Sequence, residues 1–205
     1  MLIQNITTRK IVLASLFAAL TIIGAKISIP IGPVPITMQT FFVYISALVL
    51  GGSLGALSQI IYVLIGILGP GMFATNPLIT GGYLIGFIVG TYISGKASED
   101  NSRLTKVITK LLPKSKYITP IVFVLSLIIC TIIIYFLGVI WLAGYLLNAS
   151  SEIITFQTLI QKLPIAIGAG VTPFLIGDTM KIVIAIIVAQ RTKKILKNIL
   201  IQNQW

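Results

Sequence analysis

The sequence predicts an all-α integral membrane protein with six transmembrane helices and both termini in the cytoplasm. Apolar residues make up 57% of the 205-residue chain and charged residues only 9%, where a soluble domain carries about a quarter charged residues. Mean hydropathy is +1.06, and runs of Ile, Leu, Val and Phe recur at lengths suited to a bilayer. The basic residues gather beside these runs and not on one soluble face.

The first span is expected over 11–29, behind Arg9 and Lys10. Those two cations before an apolar stretch resemble a secretion signal. No small-residue cleavage site is evident near Gly24–Lys26, and equally apolar segments follow, so an uncleaved first span is expected. IPIGPVPIT then stops the helix, because three prolines in six positions cannot continue one. A second span over 37–50 turns at GGSLG into a third over 54–68. Both are short, so their ends are expected to tuck into protein or the interface.

After the turn-rich GPGMFATNPLIT come a fourth span over 81–95, a polar segment and a long fifth span over 117–146. A polar loop from Asn148 through Pro164 and a Gly-rich GAG is expected to lead to the sixth span, 172–190. Thr172 suits the N-cap of that helix and Pro173 its first turn. RLTKVITKLL has the spacing of an amphipathic helix lying on anionic lipid headgroups, as does the tail. The whole chain, 1–205, reads as a single membrane domain.

Charge sets the orientation. Six spans place both termini and the segment between spans four and five on one side. Arg9, Lys10, Lys96, Arg103, Lys106, Lys110, Lys114, Lys116, Arg191, Lys193, Lys194 and Lys197 lie there, twelve of the fifteen basic residues. An excess of Lys and Arg marks the cytoplasmic side. Trp141 and Tyr145 then fall near the outer interface.

Composition also narrows the chemistry. The chain has no histidine and one cysteine, Cys130, which excludes an intrachain disulfide and argues against metal or hydrolytic chemistry. No cofactor is expected. A net charge of +11 does not point to nucleic acid, since the cations flank membrane spans. GTYISGKA nearly matches a P-loop, but Ala97 replaces the magnesium-binding hydroxyl and a membrane span stands where a strand is needed. The segment reads as a helix end, so any uphill transport takes its energy from a partner or an ion gradient.

Asp178 and Lys181 carry the sharpest signal. Ionisable residues inside a span cost a few kcal/mol (~2.5–3.5 on insertion scales) and face protein or a cavity. At i, i+3 the two share a helix face, in the outer half of span six. Thr37, Gln39, Thr75, Asn76, Thr80 and Tyr83 are uncharged hydrogen-bonding groups expected at similar depth. Together they describe an outward-open pocket for a small molecule with a polar head and an apolar body. Ala14-x3-Ala18 in span one lets another helix approach closely, within the chain or from a partner.

IPIGPVPITMQT, GGSLG, ITGGYLIGF and TPFLIGDTMK occur here in an order and spacing that resembles the biotin transporter family BioY, over roughly residues 10 to 190. Here the family's Gly-rich segment is compressed to GPGMFATNPLITGGY, with Ile79 where proline is usual. The resemblance implies a six-helix S component of an energy-coupling factor (ECF) transporter in the cell membrane. Such a subunit captures biotin from outside and works with a transmembrane T component and two ATP-binding cassette ATPases, without catalysis of its own. Tilting of the whole S component is the motion this family implies, with Ala14 and Ala18 matching the motif that docks on the T component.

By the same resemblance, Asp178 accepts from the ureido N–H groups of biotin. Lys181 or Gln39 donates to its carbonyl or to its valerate carboxylate, with Thr37 and Asn76 nearby. Tyr83, Phe73 and Tyr62 supply the apolar wall. The rival readings are an S component for another vitamin and a solitary proton-coupled carrier using Asp178.

Overall fold

The computed structural model describes residues 2–69, 77–113, 115, 117–150 and 153–202. The chain runs α1 (Leu2–Lys26), β1 (Ser28–Ile29), β2 (Ile36–Thr37), α2 (Gln39–Leu68), α3 (Pro77–Ala97), α4 (Arg103–Leu111), α5 (Ile118–Ala149), α6 (Phe156–Gly170), a 3-10 turn (Thr172–Phe174) and α7 (Leu175–Gln202). Pro30, Pro33 and Pro35 stop α1 and build a turn, with Gly32 at φ 70°. The turn closes the two-residue antiparallel pair Ser28↔Thr37 and Ile29↔Ile36. The Met38 amide then donates to the carbonyls of Gly24 and Ile27, both at 3.1 Å, and ties the start of α2 to the end of α1.

A straight α2 of 30 residues would be about 45 Å long, well beyond a ~30 Å hydrocarbon core. It reverses instead at Gly51 (φ 77°, ψ −177°), a conformation essentially reserved for glycine. The halves 39–50 and 52–68 run antiparallel. Gln39 donates to Tyr62, and Gln59 Nε2 reaches Ser46 Oγ at 3.2 Å. This hairpin supplies two of six bundle helices; α1, α3, α5 and α7 supply the others.

Gln59 is the polar hub of the hairpin. The hydroxyls of Thr21, Ser46 and Ser58 donate to their own helix carbonyls at 2.9, 2.8 and 2.6 Å. Their lone pairs then accept from Gln59 Nε2 at 3.4, 3.2 and 3.0 Å. One amide thereby joins α1 to both halves of α2. Backbone bonds stay inside the helices, as hydrocarbon requires.

Small residues set the remaining contacts. On α3, Gly82, Gly86 and Gly90 recur every fourth position and lie against Leu137, Ile134 and Cys130 of α5. A Cβ on Gly86 would stand 2.8 Å from the Ile134 Cα. Small residues at this spacing let helix backbones touch. α7 runs antiparallel to α5, with Tyr135 opposite Asp178 and Lys193 over the Phe123 ring at 4.8 Å.

Among the described residues, four segments are long and apolar enough to cross a membrane: Thr8–Lys26, Gln39–Leu68, Ile118–Ala149 and Phe156–Ile195. The second is the folded hairpin, and the glycines of α3 dilute its hydropathy. The outer surface is coated with Ile, Leu, Val and Phe side chains. The end of the bundle with the Gly51 turn and the start of α5 carries Lys96, Arg103, Lys106, Lys110, Arg191, Lys193 and Lys194, and the opposite end holds Lys26.

Two expectations are corrected. The stretch after Asn148 is not a loop up to Thr172, because Phe156–Gly170 form α6. Thr155 and Thr158 make a reciprocal cap at its start, while Leu159, Leu163, Ala166 and Gly170 turn toward the core. Pro164 is accommodated inside it. Thr172 is not an N-cap either: its hydroxyl donates back to Ile167 O at 3.4 Å, and a 3-10 turn precedes α7.

Replacing Gly51 by Ala should lower stability by roughly 1–3 kcal/mol through backbone strain. Gly144→Ala, where an added Cβ meets nothing within 4 Å, should stay within about 0.5 kcal/mol of the parent. Thermal unfolding of the two variants in detergent measures the difference.

Candidate functional site

The β1–β2 turn, the first turn of α2, the middle of α3 and α5, and the first turn of α7 converge on one cavity. The cavity is partly open to the surface and is lined mainly by apolar side chains, with a few polar groups among them. Its walls are Val34, Pro35, Leu84, Phe87, Ile134 and Phe174, and its polar lining is Thr37, Gln39, Thr40, Thr80, Tyr83, Tyr135, Asp178 and Lys181. It lies in the half of the bundle opposite the basic end.

Asp178 and Lys181 are 2% and 7% exposed and 2.7 Å apart. Their i, i+3 spacing on α7 makes the pair local, and the neighbouring helices complete it. The Lys181 ammonium has three N–H donors and three acceptors: Thr37 O at 2.7 Å, Thr40 Oγ1 at 3.1 Å and Asp178 Oδ1 at 2.7 Å. Asp178 Oδ1 also accepts from Thr40 at 2.9 Å. Its other oxygen, Oδ2, accepts from Tyr135 at 2.8 Å. A buried pair is stable only when its remaining hydrogen-bond capacity is met, and α2 and α5 meet it here.

Beside this cluster, Thr37 Oγ1 donates to Gln39 Oε1 at 2.8 Å and accepts from the Gln39 amide at 3.2 Å. Gln39 Nε2 donates to Tyr62, leaving one N–H of that amide for another acceptor. Tyr83 donates to Gly170 O at 2.9 Å, which joins the cavity wall to the end of α6. Among the described residues, with Lys181 fully engaged, the lining offers acceptors, chiefly Asp178 Oδ2, and one amide donor on Gln39. It therefore suits a neutral group that bears N–H donors beside a carbonyl. Lys181 reaches a ligand only by releasing one of its three bonds.

Thr37, Gln39, Tyr83, Asp178 and Lys181 are brought together as the sequence predicted. Tyr62 stands behind Gln39 and is not part of the lining. Phe73 and Asn76 lie outside the described residues. Thr40 and Tyr135 escaped the sequence reading. Thr40 comes three residues after Thr37, and Tyr135 is a phenol in the apolar run IICTIIIYF; these were the available signals.

Ala14 and Ala18, expected to meet another helix from within the chain or from a partner, are both 0% exposed in this chain. The small side chains let α1 pack closely, which is what such spacing allows.

Comparison with known proteins agrees with this architecture. The profile of the BioY family matches residues 2–198. The chain belongs to the BioY family. The biotin transporter BioY of Thermotoga maritima is 36% identical over 194 residues, covering 91% of this chain and 97% of that protein. A probable biotin transporter BioY of Pyrococcus horikoshii is 34% identical over 192 residues, covering 89% and 95%. A crystal structure of the S component for biotin from an ECF-type ABC transporter shares the fold, with a TM-score of 0.66, 21% identity and 93% of each chain covered. These BioY relatives are transporters, and with the apolar helices they place this chain among multi-pass membrane proteins.

The Asp178–Lys181 pair in this BioY chain should show strong energetic coupling. Lys181→Met alone leaves a buried carboxylate without its cation and should destabilise by about 3–5 kcal/mol. Combining it with Asp178→Leu should recover part of that loss. A double-mutant cycle by thermal unfolding reads the coupling, and strictly additive losses would refute it.

Proposed function

We propose that this chain is the substrate-binding S component of a biotin uptake system of the ECF type. In this reading it is one membrane domain in the cell membrane with both termini in the cytoplasm. It captures biotin from outside and passes it inward with a T component and two ABC-type ATPases, performing no catalysis itself. The observation that carries the reading is the buried cluster of Asp178, Lys181, Thr40 and Tyr135 at a cavity with apolar walls, in a chain of the BioY family.

The chemistry of biotin matches what the cavity leaves available. Its ureido ring carries two N–H donors and one carbonyl. Asp178 Oδ2 accepts one N–H, and the remaining amide hydrogen of Gln39 donates to the carbonyl. The sulfur ring and aliphatic chain lie against Val34, Leu84, Phe87, Ile134 and Phe174. The valerate carboxylate points toward the mouth of the cavity, because Lys181 already has three partners. Tyr135 and Thr40 act as positioning residues that hold the Asp178 carboxylate. The twelve basic residues that the sequence assigns to one side support the cytoplasmic placement of that side.

Equilibrium binding of labelled biotin to the purified, detergent-solubilised chain is the test. Asp178→Asn should weaken binding by about ten- to a hundredfold, the range for a hydrogen bond to a charged group. Tyr135→Phe should weaken it less, by about fivefold. A folded parent chain that binds no biotin would remove this reading. Uptake that needs no T component and collapses with an uncoupler would replace it with a solitary proton-coupled carrier.

A further inference from the structure

Two open grooves flank the first turn of α5, at the end of the bundle far from the cavity. One runs along Leu112, Ile121, Val124 and Leu125 and is apolar. The other is lined by Thr119, Phe123, Gln190 and Lys193 and is polar. They share Tyr117 and Pro120, so a single elongated molecule can occupy both. Leu112, Tyr117 and Val124 are exposed on the apolar side, where the bundle meets hydrocarbon.

The polar side carries positive charge. Lys193 sits 4.8 Å from the centre of the Phe123 ring, which fixes its ammonium at the groove. Arg103, Lys106 and Lys110 of α4 and Arg191 and Lys194 of α7 are exposed at the same end of the bundle. The acids within electrostatic reach of Lys193 are Asp100 and Glu99, and Glu99 is paired with Lys96 at 3.1 Å. Lys and Arg residues outnumber these two acids at this end of the bundle. α4 adds an amphipathic surface, with Leu104 and Ile108 packed on the core and Val107 and Leu111 exposed among its lysines.

An apolar slot continuous with the lipid-facing surface, joined to a cationic slot with hydrogen-bonding groups, fits an amphiphile with an acyl chain and an anionic head. We propose that these grooves form a binding site for one anionic phospholipid. Its acyl chain lies along Ile121, Val124 and Leu125, and its phosphate sits at Lys193, Gln190 and Thr119. The lipid bridges α5 and α7 and braces α4 against the bundle. The proposal rests on the membrane placement of the chain and not on the identity of its ligand.

The test counts lipids that stay with the chain after detergent extraction from mixed phosphatidylglycerol and phosphatidylcholine vesicles, by mass spectrometry of the size-exclusion peak. The expected result is about one retained phosphatidylglycerol per chain, in preference to phosphatidylcholine. Lys193→Gln should lower that retention about fivefold, since one basic residue near an anionic surface contributes about that factor. Val124→Trp, on the lipid-facing side, should lower it by filling the apolar groove, and it keeps the test open if Lys193→Gln elutes aggregated. Lys10→Gln, on α1 and outside both grooves, should leave retention unchanged.

Equal retention of the two lipids would overturn the proposal, as would an equal loss in Lys10→Gln. A dimer that Val124→Trp breaks, without retained lipid, would assign the groove to a second copy and overturn it too. Biotin binding read on the same samples separates this site from the cavity: Lys193→Gln should bind biotin as the parent does. A chain that retains phosphatidylglycerol yet binds no biotin would leave the lipid site standing.

Discussion

A carboxylate and an ammonium 2.7 Å apart, almost wholly withdrawn from solvent, place a demand on everything around them. Neither charge is tolerable in hydrocarbon unless it is paired and hydrogen-bonded. The partners come from the Thr37 carbonyl, the Thr40 hydroxyl and the Tyr135 phenol. α2 must therefore begin where it does, beside the first turn of α7. α5 must present Tyr135 at the same depth. The prolines before Thr37 serve that requirement, since they end α1 and return the chain at the right height. The cavity lies on the open side of this cluster, so what stabilises the helices also shapes what they hold.

Away from the pair, the bundle is assembled by close approach more than by bulk. In lipid there is no hydrophobic force between helices, and contact comes from surfaces that fit and from buried hydrogen bonds. Gly82, Gly86 and Gly90 give α5 a smooth track, and Gln59 binds α1 to both halves of the hairpin. Tyr83 fits where Gly138 and Gly170 leave room for its ring and reaches the end of α6. The same residue lines the cavity, so the position of α6 and the shape of the site are linked through one phenol.

Much of this was legible before any coordinates. Composition and charge spacing announced six helices, and the prolines and GGSLG marked two reversals. Asp178 and Lys181 stood out because charges inside a span are costly, and Thr37, Gln39 and Tyr83 followed from shared depth. What stayed hidden has a common cause. Tyr135 and Thr40 look ordinary until neighbouring helices set their rotation, which no single span encodes. α6 was obscured by Pro164 and GAG, read as breakers, although Thr155, Thr158 and the spacing of Leu159, Leu163 and Ala166 carried a helix. Ala14 and Ala18 showed that a close contact exists in that span but not with whom.

The reversal at Gly51 bears on how the chain enters the membrane in the first place. At ~1.5 Å per residue the halves 39–50 and 52–68 are about 18 and 26 Å long, and neither alone reaches across a ~30 Å core. Each leaves polar backbone at its ends that the other, or α3, must cover. The two halves thus form a unit of biogenesis: they partition into lipid together, already paired, or not at all. Ser46, Ser58 and Gln59 then never meet lipid singly. A glycine that permits a turn also decides that this stretch of ribosomal product is delivered as a pair.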